Sequence, residues 1–329
     1  MSLKLSVVDE AGNSTSVESF QELPDGVVAA AHRIVHGGNL HDPVVIDATV
    51  EQRLHDLVEL APLHNGPAIH AFAAAREALP HIPHVAVFDT AFHATLPARA
   101  ATYALPEGWR TTIRRYGFHG LSVQWASEQV AVARLVVCHL GGGCSVTGVC
   151  DGRSVDTTMG FTPLEGVPMA TRAGSVDPGA LLFLLRHGVT AEELDRTLEY
   201  ESGLLALSGI SGDVAELEQP DHPLAAFALE VFTYRVATAI GATAVALGGL
   251  DALVFTGGIG EHSARVRSDV CLQLAFLGVD LDEDGNAAAE PDADIASSRS
   301  TVRVVVLRAR EDLVAARAAR ALLASDRGA

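Results

Sequence analysis

Two glycine-rich stretches and a few well-placed charged residues carry the chemistry this chain is equipped for. The longer stretch reads Cys138-His-Leu-Gly-Gly-Gly-Cys-Ser-Val146, turns at Asp151-Gly152, continues as Asp156-Thr-Thr-Met-Gly-Phe-Thr-Pro-Leu-Glu-Gly166 and closes on Met169-Ala-Thr-Arg172. Glycine has no Cβ and tolerates positive φ, so such a loop brings bare N–H groups close to a ligand. Strings of these amides form concavities suited to phosphate. A glycine turn with no ligand is the alternative reading. Thr256-Gly-Gly-Ile-Gly-Glu261 precedes a helix, where N–H groups and the dipole favour anions. No βαβ unit with a ribose-binding acid follows it, which argues against a dinucleotide fingerprint, and no GxxxxGK[ST] loop is present.

Arg33 follows a valine-rich run and precedes two glycines; Arg172 follows Thr171. A guanidinium in such a place can grip a carboxylate or phosphoryl group through two N–H groups. Two surface arginines are the alternative. Asp89 ends the apolar run His84-Val-Ala-Val-Phe88, and functional carboxylates often sit at strand ends in α/β sheets. The chain has 14 histidines but no HExxH-like spacing, which argues against a zinc site.

Positioning these residues requires alternating strands and helices. Residues 2–9 read as a strand followed by a polar hairpin-like segment, and 44–46 as a short strand. Helices are expected over 50–60 and 69–79, with the proline- and glycine-containing segment 60–66 as a loop. A strand over 135–138, another over 144–149 and an Asp-Gly turn into 153–157 form a hairpin. A helix from Asp177 to Arg186 and one over 190–199 with Thr190 as N-cap follow. Residues 201–203 and 208–213 read as loops, and 224–247 as a buried, nearly all-apolar helix. A strand over 252–255, a helix running to about residue 276, an exposed loop over 280–294, a strand over 302–307 and a C-terminal helix complete the pattern. This alternation indicates an α/β fold.

The 329 residues are 48% hydrophobic and 19% charged, which fits a globular protein with a sizeable core and suggests two domains. A formal net charge of −18 argues against nucleic-acid or anionic-membrane partners. Cys138, Cys144, Cys150 and Cys271 show no CxxC spacing and read as small core residues of a cytoplasmic protein. Residues 1–10 lack the pattern of a signal peptide, and the longest apolar run, 236–250, is short for a membrane span.

Seven segments, in order, resemble the acetate and propionate kinase family: His-Arg-Ile-Val-His-Gly-Gly, Leu-Ala-Pro-Leu-His-Asn, Phe-Asp-Thr-Ala-Phe-His, Arg-Arg-Tyr-Gly-Phe-His-Gly, Thr-Pro-Leu-Glu-Gly, Thr-Gly-Gly-Ile-Gly-Glu and Arg-Glu-Asp-Leu-Val. The resemblance spans Ser2 to Arg317 and implies the two-lobed actin/hexokinase-type α/β fold with nucleotide in the cleft. It implies ATP/ADP and Mg²⁺ as cofactors, acetate or propionate as acceptor and a homodimer. The lobes are expected at 1–92 plus 312–329 and at 93–311. By resemblance, Arg33, Asp89, His119 and Arg172 are catalytic, and Glu311 joins Asp89 as a second Mg²⁺-linked carboxylate; a favourable charge in a helix's first turn is the alternative for Glu311. Val35, Leu63, Phe118 and Pro163 match the small apolar pocket for the acyl chain. Lys4, His64, His139, Leu140, Gly141, Gly142, Gly143, Asp213, Gly257, Gly258, Ile259 and Gly260 match phosphate- and ATP-binding positions; for His64 and His139 a structural role is the alternative.

The family's usual Asn-x-Gly-Ser-Ser lead is represented only by Ser2 and Lys4, the segment between Lys4 and His32 is short, and the usual Asn residues are Gly142 and His262. These departures imply a slower enzyme. They also leave open a rival, a nucleotide-binding pseudoenzyme with a regulatory role.

Overall fold

A computed structural model describes residues 4–219 and 222–326, with the side chains of Pro62, Leu63 and Asp326 left out; Ser2 lies outside the described residues. The chain forms two compact units, Met1–Ala94 with Phe118–Trp125 and Arg310–Ala329, and Thr95–Gly117 with Ala126–Ala309.

In the first unit β1 (Leu5–Val8) and β2 (Ser14–Val17) make an antiparallel pair. A second sheet holds β3 (Ala30–Ile34), β4 (Val44–Val45) and β5 (His84–Phe88) in the order β3-β5-β4. β3 and β5 run parallel with Arg33 opposite Val87 and Ile34 opposite Phe88. All five residues of β5 are buried, as a continuous apolar run demands of a central strand. Ile34, Ala86 and Phe88 form a core with Val50 and Leu54 of helix Ala48–Asp56 and Ile69 of helix Pro62–Ala78. Asp47 caps the first of these helices by accepting from Val50 N at 2.8 Å.

The expected loop over 60–66 is largely the start of helix Pro62–Ala78. Pro62 suits a first helical position because the N–H it lacks would have no intrahelical partner there. His64 N and Asn65 N both donate back to Ala61 O, at 3.0 and 2.8 Å. Phe118–Trp125, expected within the second lobe, belongs to the first unit. Gly120 N donates to Asp89 O at 2.9 Å and His93 Nε2 donates to Phe118 O at 2.8 Å, which ties the segment to the end of β5.

The second unit contains β6 (Arg134–Leu140), β7 (Cys144–Cys150), β8 (Arg153–Thr157), β9 (Ala252–Thr256), β10 (Ala293–Asp294) and β11 (Arg303–Val306). Their order is β10-β11-β9-β6-β7-β8, with β11, β9 and β6 parallel and the other pairs antiparallel. Asp151 and Gly152 take φ of +47° and +76°, the doubly left-handed turn that an Asp-Gly hairpin favours. Thr190 caps helix Ala191–Tyr200 as expected, accepting from Glu193 N at 3.1 Å.

Three expectations for this unit are corrected. Helix Pro223–Leu247 is not buried all round: Leu224, Phe227, Tyr234 and Val245 are exposed, while Phe232, Val236 and Ile240 are buried. Its inner face meets β7 where Gly148 leaves room for Thr243; a Cβ there would come within 2.7 Å of the Thr243 methyl. The helix expected to run from the glycine loop to residue 276 is two, Gly257–His262 and Ala264–Leu272, because Ser263 accepts from Val266 N at 3.0 Å and starts a new helix. Residues 280–294 are not simply an exposed loop. They contain helix Glu283–Ala287, and Asn286 is buried as the partner of Arg267.

Candidate active site

In the first unit the parallel pairing of β3 with β5 sets Arg33 and Asp89 side by side. Asp89 N donates to Ile34 O at 3.0 Å, extending the ladder by one residue beyond the strand. Arg33 Nε donates to the Asp89 carboxylate oxygens at 3.0 and 3.1 Å, and Nη2 donates to Oδ2 at 2.7 Å. Nη1 reaches Glu311 Oε1 at 3.4 Å, from the first residue of helix Glu311–Asp326. The Asp89 side chain is fully buried whereas that of Arg33 is 38% exposed. Burial pushes the Asp89 carboxyl above its ordinary pKa, and the Arg33 charge opposes that rise. Three predicted residues are thus brought together around one guanidinium.

His119 sits next to this cluster through its backbone. Its φ is +58°, a left-handed conformation that a non-glycine residue seldom adopts. The following Gly120 packs so tightly on Asp89 that a Cβ would overlap the Asp89 carbonyl oxygen. Phe118 is fully buried, its ring edge-on to His36 at 5.4 Å between centroids. Val35 precedes His36 and is half-buried; Leu63 and His64 lie in the first turn of helix Pro62–Ala78, with the Leu63 side chain outside what is described. Lys4 is exposed at the edge of the described chain.

In the second unit the carboxyl ends of the parallel strands β6 and β9 carry the two glycine loops. Ligands of open α/β sheets bind outside such strand ends. His139 lies opposite Thr256 across the ladder. Gly257, with φ +78°, fits where a Cβ would stand 2.8 Å from Leu140 O and 3.2 Å from His139 Nε2. Gly141 N donates to Gly143 O at 3.0 Å, and the Cys144 thiol donates to Gly141 O at 3.2 Å. Gly142 is exposed, and a Cβ on it would meet nothing within 4 Å. Gly258, Ile259 and Gly260 follow in helix Gly257–His262.

Arg172 is 7% exposed and donates through Nη1 to Pro163 O at 2.8 Å. Ala170 N donates to Gly142 O at 3.4 Å, which links the Met169-Ala-Thr-Arg172 segment to the first glycine loop. Asp213 adjoins this segment through Gly212, where a Cβ would come within 2.6 Å of Ala170 O. Its carboxylate is exposed and caps helix Val214–Leu217 by accepting from Ala215 N at 2.9 Å.

Several supporting residues escaped the reading of the sequence. Asn65 is buried and clamps the loop after Arg33: it accepts from His36 N and donates to His36 O, both at 3.0 Å. Glu165 anchors the Pro163 loop through Tyr103 OH and Arg115 Nη2, while Arg115 Nη1 donates to the carbonyls of Thr157, Thr158 and Met159. Glu261 Oε1 accepts from Gly257 N at 3.1 Å and Ala309 N at 2.9 Å. Arg267, fully buried, donates to Gly260 O and Glu261 O, both at 3.0 Å. Glu165 and Glu261 stand inside recognisable motifs, and that was their only sequence signal. Asn286, the other partner of Arg267, gave none.

Mg²⁺ binds one or two carboxylates and completes its shell with water and substrate phosphate oxygens. Asp89 and Glu311, gathered on one guanidinium, are a donor set of that kind. Among the described residues no three His, Cys, Asp or Glu side chains form a closed metal cage.

Two α/β units with glycine loops at parallel strand ends, one holding an arginine on buried and half-buried carboxylates, define an actin/hexokinase-type fold equipped for anionic ligands. The acetokinase family matches residues 7–317, and the chain belongs to that family. It is 48% identical over 305 residues to an acetate kinase of Synechococcus sp. (strain JA-2-3B'a(2-13)), covering 89% of this chain and 76% of that one. Its structure is similar to a propionate kinase from Francisella tularensis subsp. tularensis SCHU S4, with TM-score 0.84, 39% identity and coverage of 88% and 78%. It is also similar to the Porphyromonas gingivalis acetate kinase, with TM-score 0.84, 32% identity and coverage of 97% and 90%.

Proposed function

We propose that this chain is an ATP:acetate phosphotransferase that moves the γ-phosphoryl group of ATP reversibly to acetate, giving acetyl phosphate and ADP. One observation of the site carries the reading: the Arg33 guanidinium is locked on Asp89 and reaches Glu311. Such a fork, held in one orientation before substrate arrives, treats a carboxylate or phosphoryl group as a planar partner rather than as a point charge. The transfer is direct and in line: an acetate oxygen attacks the γ-phosphorus while the bond to the ADP oxygen breaks. Catalysis then rests on positioning and charge neutralisation. Arg33 and Arg172 neutralise the acceptor carboxylate and the moving phosphoryl group, and His119, His64 and His139 donate to phosphoryl oxygens. Asp89 and Glu311 would hold Mg²⁺, which neutralises nucleotide phosphate charge when bound.

Val35, Leu63, Phe118 and Pro163 receive the acyl chain. Lys4, the loop from His139 to Gly143, Asp213 and the loop from Gly257 to Gly260 serve ATP. A two-lobe division belongs to this reading as well, with Phe118–Trp125 on the side of the first unit. So does cytoplasmic location, and so does a homodimer. Supporting the homodimer, helix Pro178–Arg186 exposes Leu182, Phe183 and Leu185, and helix Pro223–Leu247 exposes Leu224, Phe227 and Tyr234. The non-catalytic alternative draws no support from the relatives, which carry the enzyme's name. Incubation with Mg-ATP, acetate and hydroxylamine tests the proposal. Acetyl hydroxamate that depends on both ATP and acetate supports it, and its absence at every acceptor concentration refutes it.

A further inference from the structure

Arg172 does not stand on the Pro163 carbonyl alone. The C-terminal end of helix Ala191–Tyr200 is stitched to the backbone on both sides of it. Thr171 Oγ1 donates to Glu199 O at 2.8 Å, Ala173 N donates to Leu198 O at 3.0 Å, and Ser202 N donates to Thr171 O at 2.8 Å. Gly203, at φ +63°, closes the turn against the same segment, where a Cβ would overlap Met169 O and come within 2.8 Å of Arg172 O. These contacts leave the Glu199 carboxylate beside the guanidinium, with Oε2 4.0 Å from Arg172 Nε. That oxygen is buried and, among the described residues, accepts no hydrogen bond. Among the described residues the guanidinium makes one hydrogen bond, from Nη1.

We propose that Glu199 is a positioning residue for Arg172: a half-buried carboxylate on the Nε side that fixes the plane of the guanidinium and leaves its Nη2 edge for an anionic ligand. The inference rests on the reading of Arg172 as a substrate-binding arginine. A buried carboxylate oxygen without a hydrogen bond normally lowers stability. Desolvation pushes the Glu199 carboxyl above its ordinary pKa, with the Arg172 charge opposing and Asp195 adding to the rise. Desolvation also pulls the Arg172 guanidinium below its ordinary value. At 4.0 Å with no hydrogen bond between them, the pair does little to hold the fold together. Its effect is on where the guanidinium points.

Positioning and structural roles separate cleanly on this basis. Glu199→Gln keeps the shape and an acceptor oxygen but removes the charge. Positioning predicts a kcat lower by about tenfold, the scale of a modest misplacement of a catalytic group, with an unchanged or raised Tm. Glu199→Asp, which keeps the charge on a shorter arm, is expected to retain more kcat than Glu199→Gln. In an Arg172→Ala background, Glu199→Gln is expected to have no further effect on kcat, because coupled residues are non-additive. Wild-type kcat in Glu199→Gln alongside a strong loss in Arg172→Ala overturns the role of Glu199 and leaves that of Arg172 standing. Full activity in Arg172→Ala overturns the reading beneath both. A fall in Tm that accompanies the kcat loss in Glu199→Gln and is equal in Glu199→Asp overturns positioning in favour of a structural role.

Discussion

Arg33 binds Asp89 through Nε and Nη2, and the two partners differ sharply in exposure: the carboxylate is fully buried and the guanidinium is 38% exposed. The asymmetry decides which partner the fold needs. Removing one member of a buried pair leaves an uncompensated charge, a loss of about 3–5 kcal/mol when the survivor is fully buried. Arg33→Ala leaves Asp89 in that state, whereas Asp89→Asn leaves an arginine that water can reach. Urea unfolding is therefore expected to show Arg33→Ala as the less stable variant by about 1–3 kcal/mol. Equal stabilities would contradict the burial argument.

For turnover the ordering changes, because geometry matters more than charge. Arg33→Lys keeps the positive charge but loses the planar fork, and is expected to lower kcat on the order of 10²-fold. Arg172→Lys is expected to do the same. Initial-rate kinetics check both; near-full turnover in either variant removes that arginine from the catalytic group.

The glycines of the two loops are not equivalent. Gly142 has open space around its missing Cβ, while Gly257 combines φ +78° with a Cβ position 2.8 Å from Leu140 O. Gly142→Ala is expected to fold with wild-type Tm and to bind Mg-ATP less tightly, since the methyl group meets no protein atom and stands where the proposed function places the nucleotide. Gly257→Ala is expected to lose about 2 kcal/mol or more of stability from strain and backbone contact. Thermal melts with and without nucleotide separate the two, and a destabilised Gly142→Ala with normal affinity would show that this loop faces protein instead.

Acyl-chain selectivity follows from the proposed pocket. Adjacent methylenes are discriminated by only about 1–3 kcal/mol, so acetate and propionate are expected to react with kcat/KM values roughly tenfold apart at most. Val35 is a better probe than Phe118, whose fully buried ring is a core element costing about 3–5 kcal/mol to delete. Val35→Ala is expected to shift kcat/KM towards propionate and butyrate. No change in the acyl preference would place Val35 outside the pocket.

Acid stability depends on two imidazoles in the first unit. Burial holds His93 down to about 4; burial and the neighbouring His84 do the same for His32. His84 Nε2 donates to Leu79 O, so its Nδ1 accepts from His32 Nε2 at 2.9 Å. An unfolded-state imidazole titrates near 6.5. As the pH falls, the unfolded chain takes up these protons first, so stability drops between about 6.5 and 4. For His93 alone the loss reaches up to about 3 kcal/mol at the lower end. Chemical denaturation at pH 7, 6 and 5 is expected to show the decline, with a smaller slope in His93→Gln; a slope unchanged by that substitution assigns the protons elsewhere.

Strands β6, β7, β9 and β11, the Asp-Gly hairpin and the Thr190 cap were legible in the sequence because each rests on local patterning or on one residue's backbone preference. Asp89 at a strand end was legible for the same reason. The clamp that Asn65 places on His36 was not, since its partners lie 29 residues apart and the segment around it looks like a loop. Asn286 was hidden by its acidic, glycine-containing surroundings, which resemble a solvated turn until Arg267 is seen to fill it. The exposed face of helix Pro223–Leu247 was misread because composition without a polar stripe cannot tell a buried surface from an uncovered one. Glu199 gave no signal at all; its place beside Arg172 is made by hydrogen bonds between segments about 28 residues apart.

The central claim is reversible phosphoryl transfer between a nucleotide and a small carboxylate, and the reverse reaction tests it most directly. Acetyl phosphate and Mg-ADP are mixed with the 329-residue chain and followed by phosphorus NMR. The account predicts loss of the acyl phosphate signal matched one for one by ATP, with the rate lowered on the order of 10²-fold in Arg33→Lys. Binding of Mg-ADP with no ATP formed, or acetyl phosphate hydrolysed to inorganic phosphate with no ATP, would contradict it.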